Sequence, residues 1–223
     1  MNIEPIATFR SPFGSKFGIP RQSGLVEALP GQIVFEPAYR HADALRGLDG
    51  FDYLWLLWVF SEHVDKAKAP TVRPPILGGN ERVGVFATRS PFRPNNIGLS
   101  SVRLHHIDWQ TAQGPVIHVL GADLMDGTPI VDIKPYVTYS DCHPDARSSF
   151  AVPDRWQKLT VVFAPTVEQL LPPEKISLLK QVLELDPRPH YQDDPERLYG
   201  MSFEGKNVKF RVADTLLTVL AVE

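Results

Sequence analysis

Proline and glycine punctuate this chain: 21 prolines and 15 glycines fall mainly between short runs of Val, Ile, Leu, Phe and Tyr. Short apolar runs bounded by turn-forming residues are typical of β-strands joined by tight connections. The pattern predicts a single helix in the first two thirds of the chain, at 38–48, ending near Gly47 and Gly50. It predicts strands at 31–36, 53–60, 82–88, 100–107, 115–124 and 129–137.

Two of these predicted strands differ in how polar and apolar residues are arranged. The run YLWLLWVF at 53–60 has no alternation, so we expect both of its faces to be buried. In 100–107 alternation predicts one face with Val102, Leu104 and His106 and the other with Arg103, His105 and Ile107. A strand of the second kind is typical of a barrel with one face toward solvent.

The pattern changes after residue 150, where helical and strand segments are mixed. A strand is predicted at 157–163, one or two helices at 166–185, and paired strands at 207–212 and 215–222. The expected apolar side of the helical segment comprises Leu170, Leu178, Leu179, Val182 and Leu183. We therefore predict a mainly β fold with two domains, a β-rich domain at 1–150 and a small α+β domain at 151–223.

The chain lacks the sequence signatures of several classes of protein. No apolar run of about 18 residues is present, and Glu4, Pro5 and Arg10 interrupt what a signal peptide would require, so no membrane partner is expected. Cys142 is the only cysteine, which excludes a disulfide within one chain and fits a cytoplasmic location. The glycine-rich dinucleotide and P-loop motifs are also missing, as are the H-E-x-x-H and G-x-S-x-G motifs.

Charge is distributed unevenly along the chain. The formal net charge is −3, yet residues 66–106 contain seven lysines and arginines against Glu81 alone, a local balance of +6. Such a block is either a surface for phosphate groups or an ordinary solvated face. Within this block, Pro, Gly and Asn turns separate Arg73, Arg82, Arg89 and Arg93. Either the exposed guanidinium groups form a phosphate-binding surface, or the turns only shape a β-hairpin region.

Three further loops concentrate polar groups. Arg21 and Gln22, in the loop 18–24, could bind a carboxylate or an adenine edge, or form a solvated loop. The segment 121–136 places Asp123, Asp126 and Asp132 near an Asp-Gly hairpin signal, which leaves open a turn, acid–base work or a metal site. The loop 186–200 mixes arginine with aromatic rings, as base-stacking surfaces do, or is a proline-rich connector.

The longest motifs of the chain resemble the TrmO (TsaA/YaeB-like) family. They are PRQ at 20–22, LRGLDGFDYLWLLWVF at 45–60, VRPPILGGNERVGVFATRSPFRPNNIGLS at 72–100, LMDGTPIVDIKPY at 124–136 and DPRPHYQDDPERLYGMSFEGKNVKFRV at 186–212. The resemblance implies an N-terminal barrel that binds S-adenosylmethionine without a Rossmann sheet, at a pocket completed across a homodimer. It also implies methyl transfer to N6 of threonylcarbamoyladenosine, immediately 3′ of the anticodon in threonine tRNA.

The same resemblance assigns site residues. The implied cofactor pocket comprises Pro20, Arg21, Gln22, Ser61, Glu62, Arg89, Leu99, Asp126, Gly127, Thr128, Pro129 and Ile130. An amine bound to a carbonyl is a poor nucleophile until it loses its proton, so a base is expected, with Asp126, Asp132 and Tyr136 as unranked candidates. Positioning alone is the alternative, because the cofactor is an activated donor.

The expected RNA surface combines the basic block at 66–106 with the loop at 186–200. Its residues are Arg73, Arg82, Arg93, Arg188, Tyr191 and Arg197. The expected partner is tRNA and not DNA. Two other functions stay open from the sequence: a cofactor- or RNA-binding module without catalysis, and a metal-dependent hydrolase using Asp123, Asp126 and Asp132.

Overall fold

A computed structural model of the chain describes residues 2–64, 66, 68–152, 158–188 and 194–223. In these residues the strands are β1 (Ala7–Arg10), β2 (Pro30–Phe35), β3 (Tyr53–Val59), β4 (Thr71–Val72), β5 (Val83–Gly84), β6 (Ile97–Thr111), β7 (Gly114–Leu120), β8 (Pro129–Pro135), β9 (Thr160–Phe163), β10 (Tyr199–Phe203), β11 (Lys206–Ala213) and β12 (Leu216–Val222). The α-helices are α1 (Thr138–Asp141), α2 (Pro165–Glu168) and α3 (Pro173–Leu183). No helix of this described part is long and apolar enough to cross a membrane.

Six strands close into a barrel in the order β1-β2-β7-β6-β3-β8. All the pairings are antiparallel, and β1 completes the ring by pairing with β8 through Ala7 and Ile130. Fully buried side chains fill the interior, among them Phe9, Ile33, Leu56 and Ile117. The predicted mainly β fold with an N-terminal barrel is confirmed, and the closed ring leaves no unpaired barrel edge.

The strand β3 alternates in burial, so the expectation that both of its faces are buried is wrong. Leu54, Leu56 and Trp58 point into the barrel, whereas Tyr53 is 45% exposed on the outside. On that outer face Trp55 packs against the ring of Tyr136 at a centroid distance of 5.6 Å. Large apolar side chains on the outer face therefore concealed the period of two.

The predicted helix at 38–48 is wrong as well. The segment forms three short 3-10 helices, Pro37–Tyr39, Ala42–Leu45 and Leu48–Gly50. Gly47 adopts a positive φ of 84°, a left-handed conformation that interrupts any continuous helix. The predicted strand at 82–88 shrinks to β5, because Val85–Ala87 turns into another 3-10 helix.

The alternation predicted for 100–107 holds only as far as Leu104. The pairing of β6 with β7 shifts register between Leu104 and His106. A bulge of this kind inserts an extra residue and re-aims the side chains beyond it. Ile107 therefore packs against the barrel core together with Leu104, and His106 is exposed, contrary to the predicted faces.

The later part of the chain forms a four-stranded sheet in the order β10-β11-β12-β9, with β9 parallel to β12. The predicted strands at 207–212 and 215–222 and the helical segment are confirmed. The strand predicted at 157–163 corresponds to the shorter β9, with residue 157 outside the described residues, and β10 was not predicted. Four of the five predicted apolar helix residues are buried, but Leu170 is 62% exposed. It follows α2, in the turn that separates this short helix from α3.

Residues from the beginning of the chain pack into the core of this second sheet. Phe13, Val26 and Leu29 are buried in the same cluster as Leu179 and Phe210. The ring of Phe13 meets that of Phe203 edge to face, with centroids 5.6 Å apart. The division at residue 150 stays a prediction, and this shared core ties the segment between β1 and β2 to the late sheet.

Candidate active site

Two adjoining cavities, of about 210 Å³ and about 320 Å³, open at the end of the barrel where β3 finishes. Both are lined by Pro20, Trp58, Phe60 and Asp123. The shared lining makes them two parts of one cleft, bounded by the loop after β1, the end of β3 and the segment that follows β7. This cleft is the candidate active site.

A chain of hydrogen bonds crosses the floor of the cleft. Nε1 of Trp58 donates to Oγ of Ser100 at 3.0 Å, and the Ser100 hydroxyl donates to Oδ1 of Asp123 at 2.6 Å. Ser100 is buried, with an exposed fraction of 1%. The carboxyl of Asp123 is therefore fixed in orientation by a buried hydroxyl, whose own acceptor site is taken by the indole.

The environment of Asp123 makes it an unusual aspartate. Burial raises the pKa of its carboxyl above the ordinary value, while the hydroxyl of Ser100 and the charge of Arg89 act in the opposite direction. The sequence left Asp123 open between acid–base work and a metal site, and Asp123 was not among the three predicted base candidates. The missed signal is its place in the segment that follows β7, between buried Ala122 and Leu124.

The predicted cofactor residues of the first loop lie at this cleft. Pro20, Arg21 and Gln22 line the larger cavity together with Arg89 and Leu99. Nη1 of Arg89 donates to Oε1 of Gln22 at 2.6 Å, which joins two loops that are 67 residues apart. The resemblance predicted one pocket from these residues, and the fold brings them together at the larger cavity.

Arg21 also contacts the late part of the chain. Its Nη1 donates to the carbonyl of Leu185 at 3.1 Å and its Nη2 to the carbonyl of Asp186 at 2.8 Å. Burial lowers the pKa of Arg21, and the charge of Asp186 opposes that shift. Arg21 thus links the cleft to the end of α3.

Three of the other predicted contacts, Ser61, Glu62 and Thr128, line the smaller cavity, whereas Asp126, Gly127, Pro129 and Ile130 do not. Ser61 and Glu62, in the 3-10 helix Ser61–His63 that follows β3, reach it from one side. Thr128 reaches it from the turn before β8, where its hydroxyl donates to the carbonyl of Met125 at 2.7 Å. Gly127 is exposed in the same turn with a φ of 79°, and Ile130 is buried in the barrel core.

The three predicted base candidates lie elsewhere. The carboxylate of Asp126 accepts a bond from the backbone N–H of Ser11 at 3.0 Å and lies 3.6 Å from Arg10. Asp132, paired with Leu57 in the barrel, forms an ion pair with Lys134 at 2.8 Å. Neither they nor Tyr136 are among the residues that line the two cavities in the described part of the chain.

Tyr136 lies at the opposite end of β3. Its backbone N–H donates to the carbonyl of Tyr53, the first residue of that strand, whereas the cleft lies at the last residues. Desolvation and the neighbouring Cys142 raise the pKa of its phenol. The role predicted for Tyr136, like those of Asp126 and Asp132, stays a prediction.

The expected RNA-binding arginines differ in how free they are. Arg73 and Arg82 are exposed, and Nη1 of Arg82 donates to Oγ1 of Thr71 at 3.1 Å. Arg93 instead caps its own loop by donating to the carbonyls of Thr88 at 3.0 Å and Ser90 at 3.4 Å. Of the three predicted RNA-binding arginines in the basic block, Arg73 and Arg82 are therefore more accessible than Arg93.

The described residues of the loop at 186–200 are less open than the sequence suggested. Nε of Arg188 lies 2.9 Å from Oδ1 of Asp186, with only 10% of the Arg188 side chain exposed. The guanidinium of Arg197 lies over the ring of Tyr199, 5.4 Å from its centroid. Tyr191 lies outside the described residues. RNA contacts by Arg188, Tyr191 and Arg197 remain predictions.

Family models match most of the chain. One described as the tRNA-methyltransferase O N-terminal domain matches residues 8–142, and one described as the TrmO C-terminal domain matches residues 156–223. The chain belongs to the TrmO family. This confirms the resemblance read from the motifs.

Known members of the TrmO family agree over the full length. A protein of Escherichia coli K12 named tRNA (adenine(37)-N6)-methyltransferase is 44% identical, covering 99% of this chain and 97% of the relative. A crystal structure of TrmO from Pseudomonas aeruginosa has a TM-score of 0.79 at 32% identity and covers 100% of this chain and 98% of its own.

A more distant relative bears on the cofactor. A Pyrococcus abyssi protein described as a probable S-adenosyl-L-methionine-binding protein is 34% identical and covers 64% of this chain and 72% of its own length. The present chain is thus an S-adenosylmethionine-dependent tRNA methyltransferase, as the resemblance of its motifs implied.

Proposed function

We propose that this protein methylates N6 of threonylcarbamoyladenosine immediately 3′ of the anticodon in threonine tRNA. The E. coli relative's name specifies N6 of adenine 37. The observation that carries the proposal is the cleft at the end of the barrel, where Arg89, Gln22 and Asp123 surround one space with polar groups. The proposed substrate is thus a tRNA, and the proposed location of the protein is the cytoplasm.

The residues of the cleft fit the chemical parts of the cofactor. S-adenosylmethionine supplies a methyl group on a positively charged sulfur and also carries a carboxylate and an adenine. Arg89 offers a guanidinium for the carboxylate, and Gln22 beside it offers an amide for a polar edge. The carboxyl of Asp123, at the junction of the two cavities, favours a cation there.

The proposed cofactor pocket follows from this fit. Pro20, Arg21, Gln22, Arg89 and Leu99 form its larger part. Ser61, Glu62 and Thr128 form its smaller part. Asp126, Gly127, Pro129 and Ile130 shape the adjoining turn, in which the backbone N–H of Gly127 donates to the carbonyl of Phe9 at 2.8 Å.

A second copy of the chain would complete this pocket. Leu99 lines the larger cavity and is nevertheless 47% exposed. Phe92 is also exposed, and its ring packs against His63, which lines the smaller cavity. A homodimer that buries these apolar groups accounts for their position, and light scattering should then give twice the 25.0-kDa mass of one chain.

Replacing Arg89 with alanine should weaken cofactor binding by about 10- to 100-fold, because a charge-assisted hydrogen bond contributes roughly 1.5–3 kcal/mol. Calorimetry with the demethylated cofactor measures the dissociation constant. Arg46→Ala is the matched control, since Arg46 pairs with Asp43 on a distant exposed surface. Equal affinity in Arg89→Ala and the wild type would remove Arg89 from the pocket.

Replacing both Arg73 and Arg82 with alanine should weaken tRNA binding at low salt, with the difference from the wild type shrinking as salt rises, and leave cofactor affinity unchanged. Each lost phosphate contact should reduce the slope of log affinity against log salt by about one. Fluorescence anisotropy with labelled tRNA measures both quantities, and Arg46→Ala again serves as the control. A slope identical to that of the wild type would place the tRNA elsewhere.

The proposed reaction is tested by mass spectrometry of nucleosides. Threonine tRNA from a deletion strain should lack the N6-methylated form of threonylcarbamoyladenosine, and the purified protein with cofactor should restore it. If the nucleoside stays at its normal level, the proposed substrate is wrong. Cofactor binding without methyl transfer to any tRNA pool would instead support a binding module.

A further inference from the structure

Asp123 is the one acidic residue in the described part of the chain that lines both cavities of the cleft. Glu62 lines only the smaller one. The proposed cofactor spans both cavities, so its sulfonium, which stands between the adenosine and the amino-acid end of the molecule, would lie near their junction and beside Asp123. This is where a methyl donor and its acceptor have to come together.

Building on the proposed function, we propose that Asp123 is the general base that removes the proton from N6 of the target nucleoside. The proposal rests on its position at the junction and on the hydrogen-bond chain from Trp58 through Ser100 that orients it. Asp126, Asp132 and Tyr136, the candidates from the sequence, are absent from the lining of these described cavities.

The proton balance of the step is simple. Asp123 forms an O–H bond with the proton of N6, and the electron pair of the N–H bond stays on nitrogen. That pair forms the new N–CH₃ bond, while the electron pair of the broken S–CH₃ bond stays on sulfur and neutralises its positive charge. The carboxylate ends neutral as a carboxylic acid and later returns its proton to solvent, so no other reactant is needed.

The surroundings of Asp123 suit a base that must remain ionised and yet be stronger than a surface aspartate. Burial raises its pKa, whereas the Ser100 hydroxyl from β6, the backbone of Ser23 and the charge of Arg89 lower it. The other charged or titratable groups on the cleft are Lys16, Arg21, Glu62, His63 and Arg93. A cation bound at the junction would favour the carboxylate further.

The decisive variant is Asp123→Asn, which keeps an oxygen to accept the Ser100 hydrogen bond and removes only the base. In single-turnover assays with tRNA, methyl transfer should fall by about 100-fold or more, the range general bases contribute. Calorimetry with the demethylated cofactor, whose sulfur is uncharged, should show an affinity within about threefold of the wild type. Asp43→Asn is the matched control, because Asp43 is exposed and pairs with Arg46 away from the cleft.

A second variant tests the role of Asp123 without relying on a loss of activity. Ser100→Ala removes the hydrogen bond that stabilises the carboxylate, so the pKa of Asp123 should rise. Carboxyl-carbon NMR of the free protein should show this rise directly. The acid limb of the transfer rate, which falls as pH drops through that pKa, should shift to higher pH in the same variant.

The outcomes separate the two proposals. If the wild type methylates tRNA and Asp123→Asn does so equally well, the base assignment is wrong and the proposed function stands. If Ser100→Ala raises the NMR pKa of Asp123 while the acid limb stays in place, Asp123 is not the base. If the wild type itself transfers no methyl group to threonine tRNA, both proposals fall.

Discussion

Replacing Phe13 with alanine should lower the free energy of unfolding by about 3–5 kcal/mol, the usual cost of removing a buried phenylalanine ring. Phe13 is completely buried in the cluster that holds the late sheet, although it belongs to the segment after β1. Its ring packs edge to face on Phe203, and its carbonyl accepts from the N–H of Asp126 at 2.9 Å. Urea unfolding measures the loss.

The variant also tests whether the late sheet depends on the early segment. Hydrogen exchange in β10–β12 should accelerate more than exchange in the barrel strands, because Phe13 fills the core of that sheet. Phe86→Ala is the matched control, since the Phe86 side chain is 78% exposed and should change stability by less than about 0.5 kcal/mol. A loss below about 1 kcal/mol for Phe13→Ala would mean that the late sheet is stable without this contact.

Much of the fold was predictable because each strand has a local sequence pattern, a short apolar run bounded by turn residues. The runs predicted at 31–36, 115–124 and 129–137 overlap β2, β7 and β8, since turn residues bound short apolar segments there. The closed barrel was not a consequence of these runs. It entered through the family resemblance, because ring closure depends on pairing between β1 and β8, which lie far apart in the chain.

The failures of prediction have physical causes. The strand β10 lay hidden because its residues, YGMSF, follow a loop whose prolines and charges dominate the local pattern. The segment 38–48 has helical composition, but its backbone turns three times in a short distance. In each case packing against other parts of the chain overrides a local preference.

The candidate site was predictable where motifs are long and unpredictable where burial decides. Arg89 and Gln22 stood in separate motifs, and the fold joins them at 2.6 Å. Asp123 could not be ranked above Asp126 or Asp132, because three carboxylates in ten residues look alike in a sequence. Only the barrel shows that Ser100, on a different strand, lies against Asp123.

Replacing Gly98 with alanine should destabilise the protein by about 1–3 kcal/mol and weaken cofactor binding as well, because the added methyl has no room. Gly98 lies opposite Trp58 in the register of β3 and β6. A Cβ built on Gly98 would lie 2.4 Å from Cε2 of the Trp58 ring, well inside the contact distance of two carbons. The ring cannot easily yield, since it packs on Phe60 at 4.3 Å and is bonded to Ser100.

The double effect follows from the position of Trp58, which lines both cavities. Displacing its ring should distort the cleft and break the bond to Ser100, so thermal unfolding and calorimetry should both change. Gly84→Ala is the control, because a Cβ there meets nothing within 4 Å and its φ of −58° suits alanine. Unchanged cofactor affinity in Gly98→Ala would show that Trp58 is not part of the binding surface. Asp123→Asn should do the opposite, preserving stability and affinity for the demethylated cofactor while lowering transfer by about 100-fold or more, so the pair of variants separates the shape of the cleft from its chemistry.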